Sequence, residues 1–176
     1  MMKPPQNLPR QHNYQSDYGT PSYILDAVLA SLDANSWTLD LCSSAEHNER
    51  IGATYFYSAD CPYSKINELT AWPPYPLDVV WCNPPGGNWR AHFNLWTRCA
   101  ESGAYLAYSV DQLRGINLRI TDCLVLLHKR VRYLLPNGEP AKSTAPCPSA
   151  LIVRGACRYR PLYQIGAVYQ LMEPHR

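Results

Sequence analysis

The hydrophobic pattern of the chain is clearest in an apolar run, 78–82, which ends at Asn83 followed by two prolines. Neither Pro84 nor Pro85 can donate a hydrogen bond to a sheet, and each restricts the residue before it. The run therefore predicts a buried strand that ends abruptly. It presents Asn83 and the carbonyl of Pro84 in a rigid turn at the carboxyl end of the strand. In open α/β sheets, ligands bind at that end.

Apolar residues recur at helical spacing upstream of the first predicted strand. Thr20 is a favoured N-cap residue, and Pro21 suits the first helical position. The spacing predicts an amphipathic helix that begins at Pro21. Its apolar positions are Ile24, Leu25, Val28, Leu29 and Leu32.

Short apolar or alternating runs predict the other strands, and helices are predicted from about residue 45 and about residue 89. Ser109 is expected to cap a further short helix. These elements indicate a mostly parallel α/β sheet of six or seven strands in a single domain, residues 17–176, after a flexible N-terminal arm, residues 1–16. The predicted strands are 37–42, 53–57, 78–82, 105–109, 124–127 and 150–153, the last of which closes the sheet.

Composition narrows the functional classes. The net charge of +2 on 176 residues permits nucleic-acid binding through a local patch but does not require it. The seven cysteines include no Cys-x-x-Cys pair, which favours buried thiols in a reducing cytosol over disulfides or a zinc site. No run has membrane-spanning length, and the first residues lack the apolar core of a signal peptide. We therefore expect a cytoplasmic protein that binds no metal.

The Asn-Pro-Pro turn has a specific chemical use. The exocyclic amine of adenine is a poor nucleophile, because its lone pair is delocalised into the ring. Asn83 and the Pro84 carbonyl offer two acceptors for the amine hydrogens, and Pro85 fixes their relative position. The lone pair is then free to attack a methyl donor. The alternative is a plain strand-terminating loop, since Asn-Pro and Pro-Gly are common turn dipeptides.

Small and acidic residues after the first two predicted strands are candidates for a cofactor site. Asp40 is placed to hold the loop or the amino group of a methyl donor, and Ser44 is small enough to let a cofactor approach the backbone. Glu46 is a candidate partner of ribose hydroxyls. Its alternative is a first-turn carboxylate favoured by the helix dipole. Asp60 is a candidate acceptor for an adenine amino group.

Residues beyond the turn are candidates for binding the target base. Gly86 offers no ring on which a base would stack. Trp89 and His92 follow closely enough for either ring to compensate, although Trp89 also suits a core position.

A basic segment follows the strand predicted at 124–127. Lys129, Arg130 and Arg132 are candidates for contacts with DNA phosphates. The alternative is a solvated edge in which Val131 and Tyr133 point inward and the charges face water.

Taken in order, these motifs resemble the phage-type DNA N6-adenine methyltransferase family, and their order is more specific than any one of them. The family signature [Asn/Asp/Ser]-Pro-Pro-[aromatic] is matched at 83–85, and Gly86 departs from it at the fourth position. The similarity covers about residues 17 to 155. The matching segments are Thr20-Pro21, Leu39-Asp40, 44–46, Tyr55-Phe56 with Asp60, 81–85, 130–133 and 148–150.

The resemblance implies a Rossmann-like methyltransferase fold, S-adenosylmethionine as cofactor and the N6 amine of adenine in double-stranded DNA as acceptor. It also implies a phage or prophage origin, a bacterial host cytoplasm, and protection of phage DNA from restriction. Residue by residue, it assigns the amine to Asn83, Pro84 and Pro85, and the cofactor to Thr20, Pro21, Asp40, Ser44, Glu46 and Asp60.

Two alternatives stay open from sequence. In the first, the methyl acceptor is an RNA base or the amide nitrogen of a protein Gln, because Asn-Pro-Pro motifs also serve those groups. In the second, Gly86 marks a module that binds DNA or cofactor without catalysis. The oligomeric state and the recognition sequence are left open.

Overall fold

Strands and helices alternate along the first half of the chain. Within residues 18–57, 78–84 and 89–170, the part that the computed structural model describes, seven strands form one sheet flanked by four α-helices. The arm predicted at 1–16 lies outside this part. The helices are α1 (Ser22–Leu32), α2 (Ala45–Ile51), α3 (Trp89–Cys99) and α4 (Arg160–Ile165). The strands are β1 (Leu39–Asp40), β2 (Tyr55–Phe56), β3 (Val80–Cys82), β4 (Gly103–Ala107), β5 (Asp122–Leu127), β6 (Ala150–Arg154) and β7 (Gly166–Gln170).

The described sheet has the strand order β2-β1-β3-β4-β6-β5-β7. The first four strands in this order pair in parallel. β6 runs antiparallel to both β4 and β5, so β5 points the same way as β1 to β4, and β7 runs antiparallel to β5. A mostly parallel sheet was predicted. Five of the seven strands do share one direction, but half of the neighbouring pairs are antiparallel.

The strand predicted at 150–153 does not close the sheet, and that prediction is wrong. All five residues of β6 are buried, because β4 and β5 pair with its two sides. The described sheet ends instead at β7, where Tyr169 is 53% exposed. Neither β7 nor α4 was predicted, since polar and aromatic residues alternate there without a clear period.

The six predicted strands are present, but three are shorter than their sequence patterns and two, β5 and β6, are longer. β1, β2 and β3 lie inside the runs 37–42, 53–57 and 78–82, while β4 begins at Gly103, before its predicted start. Ser109 does cap a short 3₁₀ helix, Val110–Leu113, because its hydroxyl accepts from the backbone N–H of Asp111 at 3.2 Å.

The start of α1 differs from the sequence prediction. The helix begins at Ser22, and Pro21 occupies the N-cap position in an extended conformation. Gly19, just upstream, exchanges two backbone hydrogen bonds of 2.8 Å with Leu134. That pairing keeps the segment extended and carries Thr20 into the interior, where it is 5% exposed, so Thr20 does not cap the helix.

Helices cover both faces of the sheet and define two apolar clusters. On the α1 face, α1 and α4 pack over strand residues that include Trp81, Leu106 and Leu151. On the α3 face, α3 packs over Cys82, Tyr105 and their neighbours. The clusters alternate residue by residue along β3 and β4, as side chains do in a strand. The sheet is therefore the middle of three layers.

A buried ion pair lies at the end of the sheet where β5 begins and β6 ends. The guanidinium of Arg154 donates to both carboxylate oxygens of Asp122, at 2.7 and 3.2 Å. It also donates to the carbonyl of Ala100 at 3.1 Å and lies 4.5 Å from the Trp96 ring centroid. These contacts tie the end of α3 to the sheet at the edge opposite Asn83.

Candidate active site

The candidate site lies where the strand order reverses. β1 and β3 are parallel neighbours, with Leu39 opposite Val80 and Asp40 opposite Trp81. From β1 the chain continues to β2 on one side, whereas β3 continues to β4 on the other. In open α/β sheets such a switch point is where ligands bind, in a crevice at the carboxyl ends of the two strands.

Asn83 is held at the β3 side of this crevice. Its Nδ2 donates to the backbone carbonyl of Tyr18 at 3.1 Å. An amide has one donor end and one acceptor end, so this bond turns Oδ1, the acceptor end, away from Tyr18. Asn83 is partly exposed and Pro84 is buried, while Pro85 and Gly86 lie outside the described residues.

The contact between Tyr18 and Asn83 joins residues that are far apart in the sequence. The paired backbone hydrogen bonds between Gly19 and Leu134 hold the Tyr18 segment beside the sheet. Sequence reasoning missed Tyr18, because its position depends on this long-range pairing. The only local signal was its place directly before the Gly-Thr-Pro helix start.

Three tyrosines form a row on the α1 face beside this contact. The ring centroid of Tyr133 lies 6.1 Å from that of Tyr18 and 6.2 Å from that of Tyr108, and the rings of Tyr133 and Tyr108 are nearly parallel, at 20°. Tyr133 is 6% exposed, and Tyr18 is 41% exposed. Tyr18 therefore has a solvent-accessible ring that packs against the buried ring of Tyr133.

Trp89 and His92, whose rings were predicted to compensate for Gly86, both belong to α3. Trp89 is the first residue of α3; its carbonyl accepts from the Tyr105 hydroxyl at 2.8 Å, and the Arg90 guanidinium lies 5.1 Å from its ring centroid. His92 is buried with 6% exposure within α3, so it has little surface for a base.

Asp40 sits at the β1 side of the crevice and is fully buried. Its Oδ1 accepts from the backbone N–H of Cys42 at 3.1 Å, and its Oδ2 has no hydrogen-bond partner among the described residues. Burial raises the pKa of Asp40 to about 7, against the smaller lowering effects of the Cys42 N–H and of a hydrogen bond from the Ser43 side chain. A buried carboxylate oxygen without a partner is costly unless something binds it.

The loop after β1 leads into α2, where two predicted cofactor residues lie. Ser44 is the N-cap, and its hydroxyl accepts from the backbone N–H of His47 at 3.2 Å. Glu46 is exposed in the first turn, and hydrogen bonds from its own backbone N–H and from Ser44 lower its pKa. These contacts are those of an N-cap residue and a first-turn carboxylate, the alternative given above for Glu46. A ribose contact by Glu46 stays a prediction, as does the role of Asp60, which lies outside the described residues.

Thr20 and Pro21 are both buried at the start of α1. The Thr20 hydroxyl oxygen has no hydrogen-bond partner among the described residues. Two of the unpartnered polar atoms thus belong to Asp40 and Thr20, residues predicted from sequence to bind a cofactor.

The basic residues predicted to contact DNA lie at the same edge of the sheet as Asn83. They follow β5, whose direction matches that of β3, so both segments leave the sheet at one edge. Lys129, Arg130 and Arg132 are exposed, whereas Val131 and Tyr133 are buried. This is the arrangement expected of the alternative, a solvated edge with Val131 and Tyr133 inward, and contact of the charged side chains with DNA phosphates stays a prediction.

Comparison of the chain with protein-family models, with curated proteins and with solved structures returned no match. Among the described residues, no three His, Cys, Asp or Glu side chains are grouped to bind a metal ion. None of the described helices combines the length and apolar character needed to cross a membrane.

Proposed function

We propose that this chain is a DNA methyltransferase that transfers a methyl group from S-adenosylmethionine to the N6 amine of adenine. One observation carries the proposal: Asn83, at the switch point, is oriented by the Tyr18 carbonyl so that Oδ1 faces away as an acceptor. The buried carboxylate of Asp40 stands at the end of the neighbouring strand.

The proposed chemistry relies on positioning and on hydrogen-bond acceptors. Oδ1 of Asn83 and the carbonyl of Pro84 accept the two hydrogens of the adenine amine, which frees the nitrogen lone pair. When bound, S-adenosylmethionine supplies an activated methyl group. As the nitrogen attacks, the bond between the methyl group and the donor sulfur would break, and the methylated nitrogen would lose its proton to solvent, so no strong base is required beforehand.

The residues on the β1 side fit such a cofactor. The unpartnered Oδ2 of Asp40 is a buried acceptor suited to an ammonium group or to hydroxyls. The unpartnered hydroxyl of Thr20 adds a second polar group close to the start of α1. Asp40 and Thr20 would hold the cofactor, with Ser44 and Glu46 at the loop that leads into α2 and Pro21 beside Thr20.

The tyrosine row supplies the stacking surface that Gly86 does not. Flipping an adenine out of duplex DNA costs on the order of a few kcal/mol, and stacking on an aromatic ring returns about 1–3 kcal/mol. Tyr18 suits this role, because its ring is exposed and its carbonyl already contacts the Asn83 amide.

The topology also supports the proposal. The parallel strands β2, β1, β3 and β4, with the direction of chain progression reversing between β1 and β3, have the switch point at which open α/β sheets bind ligands. Because one fold hosts many functions, the weight rests on the Asn83 site rather than on this topology.

The exposed basic residues that follow β5, here called the basic edge, lead to a prediction about DNA binding. Replacing Lys129, Arg130 and Arg132 together by Ala should weaken DNA binding for all sequences alike, because phosphate contacts carry no sequence information. The slope of log affinity against log salt should fall by about 1 for each phosphate that is no longer neutralised. Fluorescence anisotropy across a salt series measures both quantities.

The matched control for this triple variant is Arg98→Ala. Arg98 is exposed near the end of α3, close to the opposite edge of the sheet. Its removal should leave the salt slope unchanged. An unchanged slope in the triple variant would show that DNA does not lie on the basic edge.

The acceptor is tested by counting labelled methyl groups after incubation with DNA, RNA and protein. Methyl transfer to DNA supports the proposal. Transfer only to RNA or to protein Gln would move the same chemistry to another substrate, and cofactor binding with no transfer at all would indicate a non-catalytic module.

A further inference from the structure

Two cysteine thiols meet beneath the crevice. Cys42 lies in the bend just after β1, and Cys82 is the last residue of β3. Their sulfur atoms are 3.9 Å apart, with Cys42 partly exposed and Cys82 buried. By contrast, the thiols of Cys99 and Cys157 donate to backbone carbonyls.

The two thiols differ in protonation. Burial raises the pKa of Cys42, but hydrogen bonds from Cys82 and His92, with the positive charge of His92, outweigh burial and lower it to about 6. Burial raises the pKa of Cys82 well above its usual value, and the hydrogen bond to Cys42 adds to the rise. These opposite shifts make Cys42 the more acidic of the two thiols and therefore the one that ionises first.

We infer that Cys42 and Cys82 form an oxidation site for hydrogen peroxide, with Cys42 as the attacking thiol and Cys82 as the resolving thiol. The Cys42 sulfur attacks one peroxide oxygen, breaks the O–O bond and becomes a sulfenic acid, while the other oxygen leaves as water after taking a proton. Cys82 then attacks the sulfenic sulfur. Its S–H proton leaves with the hydroxyl group as a second water, and a disulfide remains.

The local structure allows this bond to form. A disulfide requires a sulfur separation of about 2.05 Å, so the thiols must approach by about 2 Å. Cys82 lies within β3, and the residues on either side of Cys42 are also held, because the N–H groups of Leu41 and Ser43 donate to the carbonyls of Trp81 and Tyr57 at 3.0 and 2.8 Å. The approach must therefore come mainly from rotation of the two cysteine side chains.

The disulfide would act on the crevice through Asp40. The backbone N–H of Cys42 donates to Oδ1 of Asp40, so drawing Cys42 toward β3 moves the hydrogen bond that orients this carboxylate. The consequence for cofactor binding rests on the function proposed above: the oxidised chain should bind S-adenosylmethionine more weakly, and a thiol reductant should restore binding.

The test is peptide mapping of the full-length protein after treatment with hydrogen peroxide and alkylation of the remaining thiols. Trypsin places Cys42, Cys61 and Cys82 in separate fragments, 11–50, 51–65 and 66–90. We expect a disulfide between fragments 11–50 and 66–90 that a thiol reductant removes. Peroxide treatment that leaves these two cysteines alkylated, or joins either of them to another cysteine, would overturn the inference.

Variants separate the two steps. Cys82→Ala should stop at the sulfenic acid, so that dimedone labels fragment 11–50, whereas Cys42→Ser should yield neither label nor link. Cys157→Ser, at an exposed thiol outside the pair, should link as the unmodified protein does. The mapping of the unmodified chain needs no variant and no methyl transfer, so its outcome is independent of the proposed function.

Discussion

Replacing Asn83 by Ala is expected to lower methyl transfer to adenine by about 100- to 1,000-fold, the usual effect of removing one positioned hydrogen-bond partner from a reacting group. The variant removes Oδ1, one of the two acceptors that free the amine lone pair. The affinity for S-adenosylmethionine should change by less than about twofold, because the residues assigned to the cofactor lie on the β1 side. Methyl incorporation and calorimetry measure the two effects.

Two variants provide controls for this prediction. Asn83→Asp keeps an acceptor oxygen but loses the Nδ2 donor to the Tyr18 carbonyl, so its activity should lie between those of Asn83 and the Ala variant. Asn94→Ala removes an exposed amide on α3 and should have no effect. Full activity of Asn83→Ala would disprove the assigned mechanism.

Asp40→Asn should make the protein more stable above pH 7 while weakening cofactor binding. The pKa of Asp40 is raised from 3.8 to about 7 in the folded chain by burial. Below about pH 4, the carboxyl is protonated in both folded and unfolded chains and costs nothing. As the pH rises from there to 7, only the unfolded chain ionises readily, so the free energy of unfolding falls.

The size of this effect follows from the pKa shift. A shift of roughly 3 pKa units corresponds to about 4 kcal/mol, which the neutral Asn side chain avoids at pH 8. At pH 5, the gain should be less than about half as large. Urea denaturation at both pH values measures the gain. Asp26→Asn, at an exposed position of α1, should change stability by less than about 0.5 kcal/mol at either pH.

The loss of binding is the other half of the Asp40 prediction. Removing a charged acceptor costs about 1.5–3 kcal/mol, or roughly 10- to 150-fold in affinity. An Asn variant that is less stable at both pH values would show that the buried carboxylate serves the fold. A variant that binds S-adenosylmethionine normally would remove Asp40 from the cofactor site.

The sequence predicted the features that depend on local pattern. The apolar run before Asn-Pro-Pro forms β3, and Ser109 caps its short helix as expected, because strand termination and capping are set by neighbouring residues. The strands that place Asp40 and Asn83 were likewise predicted, since Asp40 ends β1 and Asn83 follows β3, while the roles of both residues stay predictions.

The features that the sequence did not predict depend on contacts between distant segments of the chain. The Tyr18 carbonyl reaches Asn83 only because Gly19 pairs with Leu134, and no spacing in the sequence encodes that pairing. The insertion of β6 between β4 and β5 likewise follows from sheet assembly rather than from the pattern of Ala150–Arg154. The contact of Cys42 with Cys82 requires the adjacency of β1 and β3, which the chain order alone does not reveal.

Nucleoside mass spectrometry tests the central claim most directly. Methyl-free duplex DNA is incubated with the purified protein and S-adenosylmethionine carrying an isotope-labelled methyl group, in parallel with the Asn83→Ala variant. We predict labelled N6-methyladenine with the unmodified protein and almost none with the variant. Unlabelled DNA, with cofactor binding confirmed by calorimetry, would contradict the assignment of DNA adenine as the acceptor.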